Sequence, residues 1–289
     1  MKKIGFIAFA LYMSLSIVSY AQVMEDDEEG SLDGFYVKES EMYENGKKPF
    51  EYPYIREADV IWAHRVWRVI DFREKMNQVF YYPVTPDQGR KNLYTILDEA
   101  LLEGRIRAFD NDMFENEINW AEQKASLIPP RQETLIVYDQ DGMEQEKDTT
   151  IYLSLAPEDV KQLRIKEDWF LDKNRTVEDV RIIGFALIYY LDKGDGSTPM
   201  PMPLCWIRYN DPEVRELLAN SEVYNFKNDR MRPSYDDVFR KRIFSSYVIR
   251  ETTVFGRRIE EYAAGADALA ESARIEDYLF NMEEDMWEY

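Results

Sequence analysis

Val180-Arg-Ile-Ile-Gly-Phe-Ala-Leu-Ile-Tyr-Tyr-Leu191 is apolar at nearly every position, with Arg181 its one charged residue. A strand with one solvated face alternates apolar and polar residues. A run without alternation, rich in β-branched and aromatic residues, suits a strand covered on both faces. With Gly184 inside it, the stretch is shorter than the roughly 20 apolar residues that a membrane span needs. Such an inner strand requires neighbours in a sheet. Upstream, 163–171 reads as a strand, and 133–138 and 149–155 flank Asp139-Gln-Asp-Gly142 as a hairpin. Downstream, a Gly-rich turn at 193–197 and the spaced Pro199, Pro201 and Pro203 lead to a strand at 204–209.

Helical spacing surrounds this centre. In 58–76, Trp62, Val66, Val69, Ile70 and Met76 recur at three- and four-residue steps, while Arg65, Arg68, Asp71 and Lys75 fall elsewhere, predicting an amphipathic helix. A second helix is predicted at 92–103, with Leu93, Ile96, Leu97, Ala100 and Leu101 as its stripe and Gly104 as its stop. A third is expected at 114–127, before Pro129-Pro130. Asp211-Pro212 opens a helix to about Ala219, since proline favours the first helical position. Further helices are expected at 234–247 and 259–286, the last striped by Ile259, Tyr262, Ala266, Leu269, Ala273 and Leu279. The fold class is α+β, with a strand-rich centre at about 133–209, N-terminal helices and a long C-terminal helix.

The N-terminus reads as an address. Lys2 and Lys3 precede an apolar run from Ile4 to Val18, and Ser19-Tyr20-Ala21 fits a small-x-small cleavage site before Gln22. The expected organisation is a signal peptide at 1–21, an acidic extended arm at 22–56, a globular core at 57–258 and an acidic C-terminal helix at 259–289. The chain holds 56 Asp and Glu against 36 Lys and Arg, a formal −20. That argues against nucleic acid and against an anionic membrane surface as partners. One His and one Cys exclude a Cys/His zinc site and an internal disulfide. Cys205, between Leu204 and Trp206, reads as a buried small hydrophobe.

Catalytic signals are absent from the sequence. His64 has no G-x-S-x-G serine to serve. Asp110/Asp112/Glu115, Asp139/Asp141/Glu144 and Asp192/Asp195 only superficially resemble calcium loops and do not follow the EF-hand spacing. No catalytic, cofactor-binding or metal-binding residue is assigned, and no cofactor is expected. A carboxylate-pair hydrolase and a carbohydrate- or peptide-binding module stay open as alternatives, the latter suggested by the aromatics.

Charge is unevenly spread. Residues 220–258 carry nine bases against five acids, and 259–289 carry ten acids against Arg274 alone. Adjoining segments of opposite sign suit a contact in which a tail meets a basic face, of its own chain or of a neighbour. The candidate interaction surface is Arg65, Arg68, Arg257, Arg258, Tyr278, Phe280, Trp287 and Tyr289, with Trp287 and Tyr289 as apolar anchors.

Several strings resemble one family. They are 58–77 with its two tryptophans, Phe80-Tyr-Tyr-Pro83, Ala108-Phe-Asp-Asn-Asp112, Arg164-Ile-Lys-Glu-Asp-Trp-Phe170, Val180-Arg-Ile-Ile-Gly184, Phe244-Ser-Ser-Tyr247 and Phe280-Asn-Met-Glu-Glu-Asp-Met-Trp-Glu-Tyr289. Together they are similar to the gliding-motility-associated GldN (PorN) family of Bacteroidetes, from about Glu57 onward. The resemblance implies a non-enzymatic periplasmic subunit of the type IX secretion system. It implies ring assembly with an outer-membrane lipoprotein of the GldK/PorK type and contact with an inner-membrane protein of the GldM/PorM type. No direct membrane insertion and no nucleic-acid partner are expected.

Overall fold

A computed structural model describes residues 47–289 except 88, 128–130, 139–143, 152–154, 176, 192–199, 226–227, 229–230 and 288–289; at 131–151, 177, 191, 200 and 283–287 it describes backbone alone. The chain divides into units of Met1–Lys48 and Pro49–Tyr289. The elements of the second unit, in chain order, begin with β1 (Val60–Asp71), α1 (Gln78–Tyr81), α2 (Leu93–Leu102), β2 (Ala108–Phe109), β3 (Glu117–Ile118) and α3 (Trp120–Leu127). The hairpin strands β4 (Arg131–Tyr138) and β5 (Glu144–Ile151) follow, then the long strands β6 (Val160–Asp172), β7 (Val177–Leu191) and β8 (Met200–Arg208). The chain closes with α4 (Pro212–Asn220), α5 (Tyr235–Arg240), β9 (Tyr247–Glu251) and α6 (Ala266–Trp287).

Seven strands form one antiparallel sheet in the order β3-β2-β8-β7-β6-β1-β9, and β4-β5 stand apart as a hairpin. The α+β class expected from the sequence holds. β7 lies inside the sheet as its unbroken apolar run predicts, with Phe185, Ala186 and Ile188 fully buried.

The stretch 58–76 departs from expectation: it forms β1, paired with β6 along its length and with β9 at its second half. The physical reason is double coverage. When both faces of a strand are buried, the two-residue alternation disappears, and the remaining apolar spacing imitates a helix. Val60, Ile61, Val66, Val69 and Ile70, with two tryptophans, are the residue types that pack best on a pleated surface. The expected single stripe therefore splits across the sheet. Val66 packs with Val248, Ile259, Ile275 and Leu279, with Trp62 beside them. Ile70 joins the main core with Leu163, Ile165 and Phe185. Trp67 and Val69 face the opposite way, against Phe109, Ala186, Trp206 and Ile249.

α2 forms where its stripe predicts. The Asn92 side chain accepts from the Thr95 N–H at 2.8 Å, and Gly104 ends the helix at a positive φ of 70°. α3 starts later than 114, because Phe114 adopts a left-handed φ of 58° and lays its ring on Gly184. A Cβ at Gly184 would stand 2.3 Å from Phe114 Cζ and 2.8 Å from the Ile207 carbonyl oxygen, so this site requires glycine. The expected helix at 234–247 stops at Arg240. Ser234 caps its start, accepting from the Asp237 N–H at 3.2 Å, and Arg242 at φ 52° turns the chain into β9. The hairpin strand expected at 149–155 is centred earlier, pairing Arg131↔Ile151 through Tyr138↔Glu144.

α6 begins at Ala266, where a helix from 259 was expected. Ile259–Glu261 is a single 3-10 turn, and Gly265 at φ 59° separates it from the helix. The inward face is Ala268, Ser272, Ile275 and Leu279, while Leu269 is exposed. The Ser272 hydroxyl accepts from the Val248 N–H at 2.9 Å, and Arg258 bridges Arg250. Together they occupy the outer edge of β9, which would otherwise offer free backbone groups to another strand.

Candidate interaction surfaces

Arg65 and Arg68, neighbours on a supposed helix face, point to opposite faces of β1 because strand residues three apart alternate. Arg65 forms a two-pronged pair with Asp168 across β6, at 2.5 and 2.7 Å. Arg68 is buried beneath α6, where it donates to Ser246 Oγ at 2.8 Å and pairs with Glu276. Burial, the largest influence, pulls its guanidinium below the ordinary arginine value, against the opposing pull of Glu167 and Glu276. Arg68 thus ties α6 to the sheet. Beside it, fully buried Glu167 accepts from Arg242 at 2.8 and 3.2 Å.

Around this network lies an open groove of about 400 Å³, lined by Arg68, Trp169, Arg242, Phe244, Glu276 and Phe280. Phe280 is 64% exposed at its rim. Tyr278 is exposed, its ring edge-on to Trp62 and His64 at 6.5 and 6.1 Å. Trp287 ends α6, its side chain outside the described residues, and Tyr289 lies outside them altogether.

Arg257 and Arg258 lie in the turn between β9 and α6. Val254 is 100% and Phe255 74% exposed at its tip. Gly256 at φ 59° makes the reversal. The Arg257 guanidinium covers the rings of Phe255 and Tyr262 at 4.8 and 5.4 Å. Arg250 lies over Trp67 at 4.3 Å. Sequence reading missed Arg164 and Arg250 as companions of this turn, since only the sheet register assembles them. Trp67 pairs with Arg250 and Val69 with both Arg164 and Tyr247, which places Arg164 and Arg250 on one sheet face. The Nε atoms of Arg164 and Arg250 are buried without a hydrogen-bond partner. Burial first, then the charge of Arg258, hold Arg164 below the ordinary arginine value, against the opposing pull of Glu260 and Asp112.

Other singled-out residues have structural partners. His64 Nε2 lies 3.1 Å from Glu251 Oε2, and its ring stacks on Trp62. Asp112 accepts from the Trp67 indole at 2.9 Å and lies 3.7 Å from Lys166 Nζ. Among the described residues no three His, Cys, Asp or Glu side chains converge as metal ligands. Asp139, Asp141, Asp192 and Asp195 fall outside them. Cys205 is buried, and burial pushes its thiol up to about 12.

The family described as gliding motility associated protein GldN matches residues 55–288. The chain belongs to the GldN family. A search of curated proteins finds no match. The GldN match takes in the whole seven-stranded sheet and α6, and so both the groove and the arginine turn. No helix among the described residues is long and apolar enough to cross a membrane.

Proposed function

We propose that this GldN-family chain is a non-enzymatic periplasmic subunit of the type IX secretion system, and of gliding where the organism glides. In this reading it assembles into a ring with an outer-membrane lipoprotein of the GldK/PorK type and contacts an inner-membrane protein of the GldM/PorM type. Membership of the gliding-motility family across 55–288 carries the proposal. The signal-peptide pattern at 1–21 supports a periplasmic site. The surface supports assembly: exposed Val254, Phe255 and Phe280 beside arginines are the residue types that anchor protein contacts. The test is affinity recovery of the tagged chain from detergent-solubilised envelopes. The lipoprotein should be recovered in near-equal amount. Recovery of the chain alone would contradict the proposal.

A further inference from the structure

In a chain with twenty more acids than bases, an arginine with no carboxylate in direct contact is unexpected. Arg164, Arg250, Arg257 and Arg258 make no side-chain hydrogen bond or ion pair among the described residues, and each belongs to the surface around the β9–α6 turn. Arg257 and Arg250 lie on aromatic rings, which hold a guanidinium in place without neutralising it. The exposed Val254 and Phe255 add an apolar tip beside these arginines.

The same chain carries a segment of matching chemistry. Asn281-Met-Glu-Glu-Asp-Met-Trp-Glu-Tyr289 holds four acids, two methionines and two aromatics. α6 keeps the two apart within one molecule. The arginine turn sits at the helix start, where Arg257 covers Tyr262, and Glu283, Glu284 and Asp285 lie in the last turns of the helix. At 1.5 Å per residue, Glu283 stands about 25 Å along the helix from Ala266. That is more than twice the Debye length of about 8–10 Å at physiological salt, so the tail does not neutralise its own turn.

We propose that the acidic end of α6, 283–289, docks on the Arg164/Arg250/Arg257/Arg258 surface of a second copy of this chain. Carboxylates of the tail pair with the four guanidinium groups, and its aromatics meet Val254 and Phe255. The two surfaces lie at different ends of one helix, so the contact is head-to-tail. Such a heterologous contact propagates from copy to copy and closes into a ring when the rotation between copies allows. The inference deepens the ring proposed above and rests on that reading for its role, although the contact itself involves this chain alone.

The test is disulfide trapping in the purified full chain without its signal peptide and without the lipoprotein. Cys205 is buried and stays silent. Arg258→Cys and Glu284→Cys are placed together in one chain, and separately in two. Under mild oxidation the double variant should give a ladder of dimers, trimers and longer species on a non-reducing gel. The two single variants should give a dimer when mixed, and far less when oxidised alone. Arg257→Glu with Arg250→Glu should abolish the ladder, and Glu283→Lys with Asp285→Lys in the mixed partner should restore the dimer. Melting curves check that each variant is folded. Absence of the mixed dimer in folded variants, or equal dimer from Arg258→Cys alone, would overturn the inference. The envelope recovery of the lipoprotein by the unmodified chain is independent of this result, so the two proposals fail separately.

Discussion

Asp71 shows how one side chain can set part of the acid stability. Its carboxyl accepts from the Arg73 guanidinium at 2.5 Å, from the Arg73 N–H at 2.9 Å and from Gln162 at 3.2 Å. These bonds, led by the Arg73 side chain, hold it below the usual carboxylate range. A carboxyl lowered by folding stabilises the native state fully above its unfolded value, near pH 4, and loses that contribution as pH falls through the lowered value. Asp71→Asn should therefore flatten the loss of stability below about pH 4, read from denaturant melts across pH; an unchanged acid slope would contradict this. Gly184 makes a sharper steric prediction. An added methyl meets the backbone oxygen of Ile207 at 2.8 Å, which cannot swing away as a side chain can. Gly184→Ala should cost about 1–3 kcal/mol, as overpacking does, and lower the melting temperature. The need for glycine at 184 was invisible in sequence, because Phe114 comes from 70 positions upstream.

Helices α4 and α5 are joined by a buried pair. Arg215 donates to Asp236 at 2.7 and 3.2 Å, and the Tyr209 hydroxyl donates to the same carboxylate at 2.9 Å. Arg215 also donates to the Phe50 carbonyl at 2.8 Å, fastening the start of the described chain to α4. Removing one member of such a pair leaves a buried charge without its counterion. Asp236→Ala should lower stability by about 3–5 kcal/mol, and Asp236→Asn by less, in urea titrations; equal stability of Asp236→Ala and the parent would show that water already reaches the pair. Element types were legible where one periodicity dominates. α2 has a single buried stripe and a capping asparagine, and β7 is an unbroken apolar run. β1 was not legible, because burial on both faces erased the alternation that marks a strand. α6 was legible as a helix, but its inward face was not. Ser272 is polar yet buried because β9 needs its hydroxyl, and apolar Leu269 is left outside.

Across the whole molecule, α6 has two parts with different work. Its middle packs on its own sheet through Ile275 and Leu279, so a deletion from 278 onward would strip the core as well as the tail. Deleting 283–289 avoids Leu279. That truncation should leave the melting temperature unchanged and abolish the self-association that the disulfide ladder reports; a folded truncation that associates like the parent would contradict the tail's role. The opposite charge of 220–258 and 259–289 was visible in the sequence, but the partners it implies were not. Sheet register gathers Arg164 and Arg250 near Arg257 and Arg258, and helix length separates them from their complement. We propose that this chain acts as a repeating part of an envelope assembly. The most direct measurement is the mass of the particle extracted with it from native envelopes, by single-particle mass photometry. Many copies of the chain in each particle, together with the lipoprotein, are expected. Particles holding a single copy would contradict the claim.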